Sequence, residues 1–135
     1  MKRGQVSLEY MMVVGFTLLM IMPIVAIYGI EKSSIENKVN TRQAHTIARQ
    51  LADASEKVYY LGEPAKTTLK VYMPSHVETV SIGNREIVFV MDIDGTSTEI
   101  VADSAVNISG TVSPKQGIQY IEVAAQGYEV NITSS

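Results

Sequence analysis

Glu9 is the residue of this chain whose chemistry packing alone does not explain. It stands directly ahead of a long apolar run, where a carboxylate is costly if drawn toward hydrocarbon. A chain that is merely anchored gains nothing from an acid there, so the carboxylate calls for a partner. The other reactive groups are sparse. His45 and His76 are the two histidines, far apart, and they do not make a metal triad. Cysteine is absent, which excludes disulfides and thiolate metal sites. The run Asp92-Ile93-Asp94-Gly95-Thr96-Ser97-Thr98-Glu99 has the acidic spacing of a calcium loop. It lacks the full loop length and the distant bidentate Glu, and it falls at a predicted hairpin. There is no Gly-rich phosphate loop, no nucleophile elbow and no carboxylate pair with a shared environment. The expectation is a protein that is not an enzyme and that uses no cofactor or metal. Asn107-Ile108-Ser109 and Asn131-Ile132-Thr133 are N-glycosylation sequons, usable if this part of the chain is exported. The formal charge of −3 comes with no basic stripe, so nucleic acid is not an expected partner.

The element that must position Glu9 is the apolar run directly after it. From Tyr10 to Ile30 there are 21 residues without a charge, interrupted only by Thr17, two glycines and Pro23. As a helix this reaches about 31 Å, enough for a hydrocarbon core of about 30 Å. Lys2 and Arg3 precede it, which by the positive-inside rule keeps the N-terminus cytoplasmic and exports the chain beyond Ile30. A secretory signal has a shorter apolar region and a small-x-small exit, whereas the exit here reads Ala26-Ile27-Tyr28-Gly29.

The front end, Lys2-Arg3-Gly4 followed by Gln5-Val6-Ser7-Leu8-Glu9-Tyr10, resembles the class III signal peptide of archaeal type IV pilin-like proteins. That family has a basic leader, a Gly, a Gln-x-Ser-x-Glu-Tyr core and an apolar helix. The resemblance covers about the first 30 residues, and no family motif is evident beyond them. It implies cutting between Gly4 and Gln5 by a prepilin peptidase on the cytoplasmic side, with the helix retained. Gly4 suits such a site because a small residue lets the backbone enter a cleft. The cut removes Lys2 and Arg3, takes the formal charge from −3 to −5 and exposes an α-amino group at Gln5 with a reference pKa of about 8. Glu9 is four residues from that amine. The resemblance implies that it meets the amine of a neighbouring subunit inside a filament; favouring a helix N-terminus through the macrodipole is the simpler use. Ser7 is expected to cap the helix or bond near the new terminus. The implied partners are identical or related pilin subunits, the prepilin peptidase, and the membrane before assembly. The implied location is the cell membrane and then an archaeal surface filament serving adhesion. The competing reading is a membrane-anchored extracellular binding module that never polymerises.

Beyond Ile30 helical periodicity continues. Ile35, Val39, Ile47, Leu51, Ala54, Val58 and Leu61 form a stripe, Lys32 and Glu36 stand four apart, and Gly62 and Pro64 supply a stop. A helix over 6–61 would be about 84 Å long if unbroken, with a kink or local unwinding expected at Pro23 and a break allowed near Gly29. From Lys66 onward come about seven short strands, with hairpin turns at Gly83-Asn84, Asp94-Gly95 and Gln126-Gly127. The expected fold is α+β. It comprises a leader over 1–4, a long helix over 5–62 with its apolar part at about 10–30 and its amphipathic part at about 31–61, and a head over 63–135. The head is expected to be a small antiparallel sheet or sandwich.

Overall fold

The computed structural model describes residues 2–135, with side chains for all of them except 2, 3 and 30–33. The side chains of Lys2 and Arg3 and the Lys32–Glu36 pair therefore lie outside the described residues. The fold is α+β: one long helix, α1 (Lys2–Leu61), then seven strands, β1 (Lys66–Met73), β2 (Val77–Gly83), β3 (Glu86–Ile93), β4 (Thr96–Asp103), β5 (Ile108–Thr111), β6 (Gly117–Gln126) and β7 (Glu129–Ser134). The chain divides into two units, Met1–Glu36 and Asn37–Ser135.

In the first unit α1 stays helical through Pro23 and Gly29, so the expected unwinding does not occur. Pro23 deprives the Leu19 carbonyl of its donor, but the flanking Leu18, Leu19, Met20 and Met22 are strong helix formers and hold the turns on either side.

In the second unit the helix is amphipathic. Ala44, Ile47, Ala48, Leu51, Ala52, Ala54, Ser55 and Val58 are buried, a 3–4 spacing that makes one face. The predicted stripe is too long at both ends. Ile35, Val39 and Leu61 are 58%, 48% and 70% exposed, and the buried face lies wholly between Ala44 and Val58. Four alanines on that face keep it shallow, and the Ser55 hydroxyl is satisfied by donating to the Leu51 carbonyl at 2.7 Å. The helix stops where Gly62 takes φ +75° and its N–H donates to the carbonyls of Val58 and Tyr59, both at 3.1 Å. This is a left-handed C-terminal cap, which Gly adopts without the steric cost of a side chain.

The strands form two sheets, one ordered β1-β6-β7-β5 and one ordered β2-β3-β4. Most strands bury alternate residues: Val71 and Met73 on β1, Phe89 and Met91 on β3, Ile100 and Ala102 on β4, Ile121 and Val123 on β6, Val130 and Ile132 on β7. These join the helical face in a single core. The β5 edge of the larger sheet approaches the β2 edge of the smaller. Loops are tied to the helix by polar contacts. Asn37 donates to Asp94 Oδ2, Asn40 to Ser75 Oγ, and the Ala105 N–H to Glu56 Oε1, each at 2.9 Å. The buried Gln119 donates to the carbonyls of Ser113 and Lys115 and so fastens the β5–β6 loop.

Two hairpin turns have positive φ at both central residues, Asn84-Arg85 and Asp94-Gly95, as type I′ geometry requires. The first is displaced by one residue from the expected Gly83-Asn84. The head also departs from the purely antiparallel expectation, because β5 pairs with β7 in parallel. Gly110 makes that pairing feasible. It has φ +138°, and a Cβ there would lie 1.9 Å from the Ile132 carbonyl oxygen. Gly110→Ala is therefore expected to destabilise the head by about 3 kcal/mol or more, since backbone must shift to admit the methyl group. Gly83→Ala, at a position with open space and ordinary φ, should stay within about 0.5 kcal/mol. Chemical unfolding of the detergent-solubilised chain followed by circular dichroism checks both.

Candidate assembly surface

Every residue from Gly4 to Gly29 is exposed in the single chain, including Phe16, Leu19, Met22 and Ile24. A helix apolar on all sides has no face to turn to water and belongs in lipid or among other helices. Between its ends it satisfies its own backbone groups except the Leu19 carbonyl that faces Pro23, which nearly meets the condition for entering hydrocarbon. α1 is long and apolar enough to cross a membrane. Thr17, the one polar side chain between Tyr10 and Tyr28, donates its Oγ1–H to the Val13 carbonyl at 2.8 Å, so the run carries no unsatisfied hydroxyl. Tyr10 and Tyr28 mark its ends. They stand eighteen positions apart, about 27 Å along a helix, a spacing that would put the two phenols near opposite headgroup layers if the run crosses a bilayer. That spacing is present in the sequence, whereas the Thr17 contact emerges only from the helix.

The front-end residues all fall on this helix. Gln5 and Glu9 are four apart in α1 and share a face. Glu9 is exposed and makes no ion pair among the described residues, where the one salt bridge joins Lys66 and Glu122. Gly4 is helical, and nothing lies within 4 Å of the position a Cβ would take. Ser7 does not cap the helix. It lies inside α1, where the preceding backbone is already helical, so the cap position expected for it does not exist. Tyr10 is exposed on the same element.

The other candidates fall elsewhere. Asp92-Glu99 is the β3–β4 hairpin, with Asp92 registered against Ser97 and Ile93 against Thr96. Its acids are thereby spread over β3, the turn and β4 instead of converging as a cation loop requires. His45 is exposed on α1, and His76 sits in the β1–β2 turn at φ +67°. No group of three or more metal-ligating side chains occurs among the described residues. The two sequons differ in access. Asn107 is exposed in the loop before β5, whereas Asn131 is half-buried in the middle of β7, between β5 and β6.

Comparison with protein-family models, curated proteins and solved structures finds no match to this chain. Function is therefore read from the residues themselves.

Accessibility orders the two sequons. Glycopeptide mapping of protein from an N-glycosylating host is expected to find Asn107 occupied more fully than Asn131, and Asn107→Gln should remove the main glycoform. A modified Asn131 beside an empty Asn107 contradicts this ordering.

Proposed function

We propose that this chain is a pilin-like structural subunit of the archaeal type IV kind. It would be held in the membrane by α1, cut between Gly4 and Gln5 by a prepilin peptidase, and polymerised through α1 into a surface filament that serves adhesion. The observation that carries this reading is Glu9 on a helix otherwise ready for a water-free surrounding. The apolar run needs only lipid. Glu9 needs a cation, and the amine that a cut at Gln5 would create on a neighbouring copy is one of matching charge.

The reading also accounts for the helical Gly4. Glycine is about 1 kcal/mol less favourable in a helix than alanine, so the Gly4–Gln5 bond lies where the first turns open most readily to a peptidase. Stems packed by apolar contact alone could slide along one another. A carboxylate that finds its amine in one register and is stranded in others prevents that, since an unpartnered buried charge costs roughly 3–5 kcal/mol. The second reading, an anchored binding module that stays in the bilayer, is favoured by the Tyr10–Tyr28 spacing and by the satisfied Thr17, both suited to a permanent lipid surround. It leaves Glu9 without a partner charge, with the helix macrodipole as its remaining use.

Intact-mass spectrometry of cell-surface filaments, with imaging, separates the two. Chains beginning at Gln5 in purified filaments are the expected result, and full-length chains confined to membranes favour the anchored module. Glu9→Gln removes the charge at nearly constant shape. It should leave membrane levels unchanged and lower filament yield by about a hundredfold or more, the equivalent of about 3 kcal/mol. Undiminished filaments from this variant would contradict the register role.

A further inference from the structure

We infer that the two free sheet edges of the β unit are complementary strips through which copies of this chain meet side by side, an inference that rests on the filament reading above. In the larger sheet β1 is an outer strand, and in the smaller sheet β4 is one; the remaining edges, β5 and β2, approach each other. The outward face of β1 presents Lys66, Thr68, Lys70 and Tyr72, all exposed, because Val71 and Met73 point into the core. The outward face of β4 presents Ser97, Glu99, Val101 and Asp103, all exposed, because Ile100 and Ala102 point inward.

The match lies in sign and spacing. Lys66 and Lys70 are four residues apart, and so are Glu99 and Asp103, about 13 Å in each strand. Each strip has an uncharged residue between its charges, Thr68 on one and Val101 on the other, and Val101 is 47% exposed. The ammonium groups can therefore oppose the carboxylates whichever way the strands run. Helix α1 adds to the basic side, where Arg42 lines a groove of about 370 Å³ beside Lys70 and Tyr72. The groove beside β4 holds Asp53 and Asp103 together with His45 and Arg49, so the acidic character there rests on β4 itself. The existing partners on the basic strip are weak. Lys66 and Glu122 are 3.5 Å apart with side chains 65% and 46% exposed, and Lys70 Nζ is 6.0 Å from the Tyr120 ring centroid.

Charges on edge strands also protect against unwanted pairing. Protection alone would be served better by one sign on both edges, which would make copies repel. Opposite signs at equal spacing attract. The contact joins unlike surfaces, so it propagates from copy to copy instead of closing a two-fold dimer, as a filament requires.

The absence of cysteine makes the test clean. In the full chain Lys70→Cys is combined with Glu99→Cys, its partner if the strands run antiparallel, and separately with Asp103→Cys, its partner if they run parallel; each change is also made singly, and filaments are oxidised and run under non-reducing conditions. A thiol-reversible ladder from one of the two double variants, with none from any single variant, is expected. Intact filaments without a ladder, or a ladder from a single variant, overturn the edge contact and leave the helix-driven reading standing. A lack of filaments from the unsubstituted chain overturns both. In parallel, Lys66→Glu with Lys70→Glu should abolish filaments, and adding Glu99→Lys with Asp103→Lys should restore them. Filaments unaffected by reversal at one edge alone contradict the inference.

Discussion

Burial of one short helical face, from Ala44 to Val58, is the contact on which the head depends. Both sheets send their apolar residues to it, and the core that results includes Leu51 from the helix with Phe89 and Ile121 from the two sheets. A β region of this size alone buries too little surface to be secure. Losing Leu51 alone would forfeit the contacts of a fully buried side chain, worth about 2–5 kcal/mol in comparable cores. The alanines at 44, 48 and 52 matter for shape, because larger side chains there would push the sheets away from the helix. Asn37, Asn40 and Glu56 then fix the loops against the same element through hydrogen bonds. The helix is therefore part of the head's fold as well as its stem.

The upstream residues of α1 obey the opposite rule. No described side chain from Gly4 to Gly29 is buried, and the composition gives water no face to solvate. One element thus carries two solvation problems, solved within the chain downstream and left open upstream. The open part lacks two things that its chemistry defines: an apolar surround along its length and one cation near Glu9. A bilayer supplies the first. A neighbouring copy cut at Gln5 would supply both, which is why the assembly reading is preferred to simple anchoring.

Much of this was legible in the residues. The α+β order, the stop at Gly62, the hairpin at Asp94-Gly95 and the seven strands of the head follow from local chemistry: glycine where φ is positive, alternation where one face is buried. The misses share a cause, which is dependence on distant parts of the chain. Ile35, Val39 and Leu61 fit the helical period, but nothing in the period says where the sheets end. Arg85 occupies a left-handed position that its side chain does not advertise, so the β2–β3 turn lies one residue later than Gly83-Asn84 suggests. Gly110 carries no local mark of its role in the sequence, yet it is what allows β5 to lie beside β7 in parallel. Ser7 reads as a cap only if the helix begins there, and it begins earlier. For the candidate site, the leader pattern and Glu9 are visible in sequence, while the complementary edges emerge only after the strand order places β1 and β4 on the outside.

The two kinds of contact proposed for assembly divide the physical work. Apolar stem surface contributes about 25 cal/mol per Å² removed from water and carries little positional information. Exposed charge pairs contribute about 0–1 kcal/mol each, too little to hold a polymer, but they penalise the wrong neighbour and the wrong offset. In the proposed assembly affinity would reside in α1, and register would reside in groups that discriminate, Glu9 and the charged strands of the head. Such a subunit would exchange lipid for sister helices without a large change in apolar surrounding. The charges, not the greasy contact, would decide which exchange is productive.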